Sequence, residues 1–253
     1  MNMPSRKRLL LVAAVVFGLT LVSQMPAALL HLAFQSKTST LKVHGLQGAW
    51  TAGTLSGISL NGRLVAQDLR WDLSFWPLLL GRVGLDIRGG GQIATVEGGI
   101  SSGLGGTRLS DLRFNGAIKS LAASAGYAFV PVDGRAGGDI KKLVLKSGQL
   151  DYADASIDLK NLAWTLAREP LLLGDFRAEI GTTPEAITAV ISSPTGPLET
   201  SGSAKLLPDQ SYDVDILLKP KPGASEMLLN YVKTLGAPDP QGFYHLRKRG
   251  KLP

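Results

Sequence analysis

The chain has 253 residues and no cysteine, which excludes disulfide frameworks, thiolate metal sites and thiol nucleophiles together. Apolar residues make up 44% and aromatics only 6%, while 30 Gly and 14 Pro interrupt the chain, a mixture that suits a turn-rich β protein better than a helix bundle. The net charge of +7 sits at the ends, with +3 in residues 1–8 and +5 in residues 219–253 against −1 between them; the body carries no basic stripe with interleaved aromatics, so no nucleic-acid binding is expected.

The first basic end has a direct reading. Arg6, Lys7 and Arg8 precede an uncharged apolar run, residues 9–22, followed by Ser23, Gln24, Met25 and Pro26. A charged start with a short apolar core describes a secretory signal as well as a membrane anchor. No clean small-x-small cleavage site directly follows the run, and Leu29, Leu30, Leu32 and Phe34 continue its apolar character. The expectation is a cytoplasmic tail over residues 1–8, an uncleaved single-pass anchor over residues 9–30 and, because basic residues stay on the cytoplasmic side, a translocated body. In a Gram-negative cell that places the anchor in the inner membrane and the body in the periplasm.

Past residue 37, apolar and polar residues alternate, as in Leu69-Arg70-Trp71-Asp72-Leu73, Ile157-Asp158-Leu159 and Tyr212-Asp213-Val214-Asp215-Ile216. Period two marks half-buried strands. Turns are expected at Asn61-Gly62, Gly89-Gly90-Gly91, Gly98-Gly99, Asn115-Gly116, Asp133-Gly134 and Ser147-Gly148. The pattern predicts a mainly β fold, an extended, curved antiparallel sheet.

Residues 68–87 align with residues 161–180 at a constant offset, with nine identities in twenty columns that include Trp71 with Trp164, Pro77 with Pro170 and Gly81 with Gly174. Two repeated β units are therefore expected, residues 37–130 and 131–219. In each, a strand with an inward Trp should end, a proline should start a short apolar helical turn, and a glycine should release the chain into the next strand. Three consecutive leucines in that turn cannot all face water, so the turn either caps an end of the sheet or touches lipid.

Residues 220–253 differ in kind. After Pro220, Pro222 and Gly223, residues Leu228, Leu229, Val232 and Leu235 fall on one helical face before Gly236 and Pro238, which predicts one C-terminal amphipathic helix. A last short strand follows, ending in Arg247, Lys248, Arg249 and Lys251, candidate contacts for a partner or an acidic lipid.

Chemistry-bearing constellations are scarce. His31, His44 and His245 are scattered, and no Walker sequence occurs. Gly89-Gly90-Gly91-Gln92-Ile93-Ala94 fits G-x-G-x-x-A, but strand-like residues follow where a dinucleotide site needs a helix, so a hairpin is expected. Asp151, Asp154 and Asp158 alternate with apolar residues and read as a solvated sheet face. No enzyme activity, cofactor, metal or small-molecule substrate is expected.

Several features coincide: the short basic end and apolar run, Gly48-x-Trp50-x-x-Gly53-x-Leu55-x-Gly57, the paired Leu-x-Trp-x-Leu units, and the tail from Leu217 with Lys-Pro, a helix, Leu-Gly and Gly-x-Tyr-x-Leu in order. Together they resemble the protein N family of the type II secretion system over essentially the whole chain. The resemblance implies an inner-membrane accessory of a machine that exports folded proteins through an outer-membrane secretin, and it implies no catalytic residues. Ser23-Gln24 and Pro26 interrupt the apolar segment and leave its end open. The Trp-x-Leu strand followed by Leu-Leu-x-Gly also resembles the repeat of AsmA-like envelope proteins, which implies an apolar β groove for lipid.

Overall fold

The computed structural model describes residues 41–60, 63–90, 94–124, 129–166 and 169–251. The expected cytoplasmic tail with Arg6, Lys7 and Arg8, and the expected anchor, lie outside these residues. Among the described residues no helix is long and apolar enough to cross a membrane.

In chain order the strands and helices are β1 (Leu41–His44), β2 (Gln47–Gly48), β3 (Ala52–Leu60), β4 (Arg63–Ser74), α1 (Phe75–Leu79), β5 (Arg82–Gly90), β6 (Ala94–Gly103), β7 (Gly106–Ala117), α2 (Ile118–Ser124), β8 (Val132–Lys146), β9 (Gln149–Trp164), β10 (Leu171–Thr182), β11 (Ile187–Ser192), β12 (Leu198–Leu206), β13 (Ser211–Pro220), α3 (Glu226–Lys233) and β14 (Tyr244–Lys251). Among the described residues, all fourteen strands join one sheet, in the order β1, β3 and then consecutively to β14, with β2 also on β3. From β3 onward each strand pairs antiparallel with its sequence neighbours, so short connections suffice. Strands β7 and β8 pair from Thr107–Leu145 to Ala117–Arg135, so the sheet runs unbroken across the position between the two expected units.

Register explains why the sequence alternates. One cross-strand row runs Leu55, Leu69, Gly89, Val96, Phe114, Gly138, Ile157, Ala178, Ile191, Gly202, Ile216, Leu246, from β3 to β14, and every member is apolar or glycine. The adjacent row, on the other face, begins Thr54, Arg70, Arg88, Glu97, Arg113, Asp139 and ends Ser203, Asp215, Arg247. Side chains alternate between faces along a strand, so the sheet has one apolar and one charged face. Glycines in the apolar row make room for large neighbours: a Cβ on Gly138 would collide with the Phe114 ring.

The sheet is not flat. Helix α2 packs against β4 as well as β7 and β8. A seven-residue helix is about 10 Å long, whereas four strand spacings in a flat sheet span about 19 Å. Bending brings both strands within its reach.

Bends and breaks in the ladder carry a sequence signature. Asp68, Asp111 and Asn161 have φ of 49°, 50° and 52°, and each is followed by Leu-x-aromatic: Leu69 and Trp71, Leu112 and Phe114, Leu162 and Trp164. Asp and Asn tolerate this left-handed conformation better than other residues with a Cβ. Register shifts flank Asp111 and Asn161. Gly98-Gly99, Asn115-Gly116 and Asp133-Gly134, expected as turns, lie inside β6, β7 and β8; Gly98 and Gly134 supply positive φ next to these shifts. Ser147-Gly148 forms the expected tight turn between β8 and β9.

The core is concentrated where α3 lies on the apolar face. Leu228 and Val232, both 1% exposed, pack with Leu171 and Leu198, bordered by Trp164, Leu173, Phe176, Leu235 and Tyr244. Ser225 caps the helix by accepting a hydrogen bond from the Leu228 amide at 3.3 Å, and Gly236 at φ 122° follows its C-terminus. Burying those two side chains contributes about 1.5–3 kcal/mol each. This is the expected amphipathic helix.

Candidate functional site

The two copies of the sequence repeat fold differently. In the first, β4 runs into α1, Pro77 is the third helical residue, and Gly81 at φ 66° releases the chain into β5, as expected. Trp71 faces Ile87 across the hairpin. In the second, no helical turn forms: Pro170 precedes β10 directly, Leu171 to Leu173 are strand, and Gly174 at φ 105° sits inside β10 at a register shift. Trp164 faces Leu171, and Ile180 faces Ala155. The difference follows from surroundings: α3 covers Leu171 and Leu173, and Arg168-Glu169 replace the aromatic pair Phe75-Trp76 before the proline.

Both tryptophans face the apolar side and are half-buried. The Trp71 indole N–H donates to the Trp50 carbonyl at 3.2 Å, and its ring occupies the space a Cβ on Gly53 would take. That close approach accounts for Gly53 in the Gly-x-Trp-x-x-Gly run. Trp164 lies against Tyr231 of α3, ring centroids 6.3 Å apart.

The leucine turn of the first copy does not plug the sheet. No residue of α1 is buried; Phe75, Trp76, Leu79 and Leu80 are 76% to 79% exposed. Pro77 packs on Gly84, where a Cβ would collide with it, and Gly84 shares a face with Asp86 and Arg88. The next hairpin, between β6 and β7, ends in the fully exposed Leu104, and Arg82 pairs with Gly103 beside it. The Arg82 Nη2 donates to the Gly106 carbonyl at 2.9 Å. This end of the sheet thus carries an exposed apolar tip with a guanidinium at its base.

The charged face is stitched by cross-strand pairs. Arg113 lies 3.5 Å from Glu97 and 3.3 Å from Asp139. Arg177 grips both oxygens of Asp158, at 2.7 and 3.1 Å, and that hydrogen bonding holds the Asp158 carboxyl below its usual range. The Asp175 carboxylate accepts from the Asn161 amide and the Thr195 hydroxyl, each at 2.7 Å; the amide is the larger cause of its lowered pKa. Asp151 pairs with Lys146 at 2.9 Å. A depression of about 530 Å³ on β4 to β7 is lined by Arg70, Arg88, Glu97, Arg113 and Phe114 among others, and no histidine lines it.

The basic tail is partly self-neutralised. Arg247 and Arg249 of β14 bond Asp215 and Asp213 of β13, each at 2.9 Å. Among the described residues neither Lys248 nor Lys251 has a carboxylate within ion-pair distance. His245 stands 3.2 Å from Asp239, whose carboxylate also accepts from the amides of Phe243 and Gln241 and is held below its ordinary pKa, the Phe243 amide being the largest cause. Among the described residues no group of three or more His, Asp or Glu side chains could hold a metal ion. Residues 91–93, at the centre of the G-x-G-x-x-A match, lie outside the described residues; on either side β5 and β6 pair as a hairpin, and Ala94 begins a strand.

Sequence reasoning missed the pairing of Arg247 and Arg249 with Asp215 and Asp213. The signal was present as two alternating charged runs of opposite sign, Asp213-x-Asp215 and Arg247-x-Arg249.

Comparison with known proteins adds a family. The model of the family described as type II secretion system (T2SS), protein N, matches residues 39–247. The type II secretion system protein N of Vibrio cholerae serotype O1 (strain ATCC 39315 / El Tor Inaba N16961) is 26% identical over 248 residues, covering 90% of this chain and 94% of that protein. No solved structure matches.

Proposed function

The chain belongs to the protein N family of the type II secretion system, and from that premise we propose that it is a non-enzymatic accessory component, held in the inner membrane by residues 9–30 with its sheet in the periplasm. In this reading it supports export of folded proteins across the outer membrane through protein–protein contacts with other secretion components, the secretin among them. The match over residues 39–247, which spans nearly the whole described sheet, carries the reading. A broad single-layer sheet with a solvated, ion-paired face suits a scaffold: it offers long edges and a wide surface without a reaction centre. In vivo crosslinking from exposed charged-face positions such as Arg113 should capture secretion subunits. Recovery of the chain crosslinked to none of them would overturn it.

A second reading, an AsmA-like lipid-handling module, is favoured by one observation. The apolar row from Leu55 to Leu246 is covered by α3 only at the β10–β13 end; Trp71, Leu73 and Trp164 are half-buried and Leu166 is 60% exposed. Helix α2 also packs on β4, β7 and β8, so only the part of the apolar face that neither helix covers could hold acyl chains. A photoreactive side chain at Phe114 should then crosslink to lipid in cells, and its failure to do so would remove this reading.

A further inference from the structure

The apolar tip formed by α1 and Leu104 has a composition that neither reading above requires. Strand directions place it away from the chain's entry: Leu41, the first residue of β1, pairs with Leu60, whereas α1 follows Ser74 at the other end of β4, where Ala52 pairs with Asp72. Phe75, Trp76, Leu79, Leu80 and Leu104 project from two adjacent hairpin ends, and among the described residues nothing covers them. The stretches 73–85 and 98–110 contain no Asp or Glu; their charged residues are Arg82 and Arg108. Among the described residues neither guanidinium is in an ion pair, and the Nε of each is buried without a hydrogen-bond partner.

This combination is specific in its chemistry. An isolated exposed leucine is ordinary, but five large apolar side chains exposed at two neighbouring hairpin ends mark an interaction site. Trp and Phe with Leu, set above cations and without carboxylates, match the boundary between headgroups and acyl chains: rings and leucines enter the acyl region while guanidiniums stay at phosphate level. A protein partner would more often meet a polar rim carrying both signs of charge. Within these two hairpin ends the charge is basic only, complementary to an anionic lipid surface.

We propose that the α1–Leu104 tip inserts into the interface of an anionic lipid bilayer, giving the protein a lipid contact at the sheet end opposite β1. The absence of native cysteine makes the test direct. Trp76→Cys, Leu104→Cys and, as control, Glu185→Cys, which lies in the β10–β11 turn at the same sheet end, each receive an environment-sensitive fluorophore in the full chain. The labelled chain is reconstituted into vesicles of phosphatidylcholine with or without phosphatidylglycerol, with a lipid-phase quencher either in those vesicles or in a second population added later. Labels at 76 and 104, but not at 185, should shift to the blue and be quenched in one of the two arrangements, more strongly with phosphatidylglycerol, and Arg82→Gln with Arg108→Gln should remove that dependence. Quenching equal to the control in both arrangements overturns the proposal. So does a blue shift that resists the lipid-phase quencher, which would identify a second copy as the cover if it depends on protein concentration and the chain's own apolar segment if it does not. Circular dichroism of each variant confirms that the sheet is intact.

Discussion

Trp164 of β9 packs against Tyr231 of α3 with ring centroids 6.3 Å apart, whereas Trp71, its equivalent in the sequence repeat, is held by a hydrogen bond to the Trp50 carbonyl within the sheet. One copy of the repeat is roofed by a helix and the other is open. The consequences for stability differ accordingly.

Leu228→Ala removes a side chain that is 1% exposed at the centre of the α3 cluster and should cost about 2–5 kcal/mol. Leu79→Ala, on the exposed α1, should change stability by no more than about 0.5 kcal/mol. Urea unfolding of the two variants, followed by circular dichroism, measures the contrast. Equal losses would mean that α1 is buried against something.

Asn161 holds φ at 52° where β9 shifts register. Asn161→Gly should be tolerated, because glycine adopts that conformation freely. Asn161→Val should lose about 1–2 kcal/mol or more, since a Cβ-branched residue is strained there. Denaturation midpoints that fall in the reverse order would show that the side chain, rather than the backbone conformation, is what matters at this position.

Asp158, Asp175 and Asp239 all have carboxyl pKa values lowered in the folded protein, by the Arg177 hydrogen bonds, the Asn161 amide and the Phe243 amide respectively. A depressed folded pKa means that the ionised form stabilises the fold. That contribution is fully present above the unfolded carboxylate value of about 4 and is lost as pH falls through the lower folded values. Melting temperature should therefore drop on acidification below that point, and Asp239→Asn should flatten the drop. An unchanged slope in the variant would contradict the assignment.

Arg247 and Arg249 are paired along β13, while Lys248 and Lys251 are not in ion pairs among the described residues. Removing either arginine should shift stability by at most about 1 kcal/mol, as for other exposed pairs. Lys248→Gln with Lys251→Gln should leave the melting temperature in place and weaken any partner or acidic-lipid binding that depends on the tail. Co-sedimentation with anionic vesicles and pull-down of secretion subunits read the two cases separately, and full retention of both would assign the lysines to protection of the β14 edge.

Much of the architecture was legible because it is local. Period-two alternation around Trp71 and Tyr212 fixes both the strands and the face each residue occupies, and the spacing of Leu228 and Val232 between Ser225 and Gly236 fixes α3. What escaped depended on distant neighbours. Pro77 and Pro170 both open the sequence Pro-Leu-Leu-Leu-Gly, yet only the first lies in a helix, because the cover over Leu171 and Leu173 comes from α3 more than fifty residues later. Gly98 and Gly134 read as turns because glycine marks turns and bulges alike, and only the partner strands distinguish the two. The candidate surfaces were partly visible: the leucine turn was expected to cap the sheet or touch lipid, and its exposure removes the first alternative.

The most direct test of the secretion role is a chromosomal deletion assayed for export. The account predicts that folded substrate proteins of the type II system accumulate in the periplasm of the deletion strain and return to the medium when the full chain is restored. Normal export in the deletion strain would contradict it.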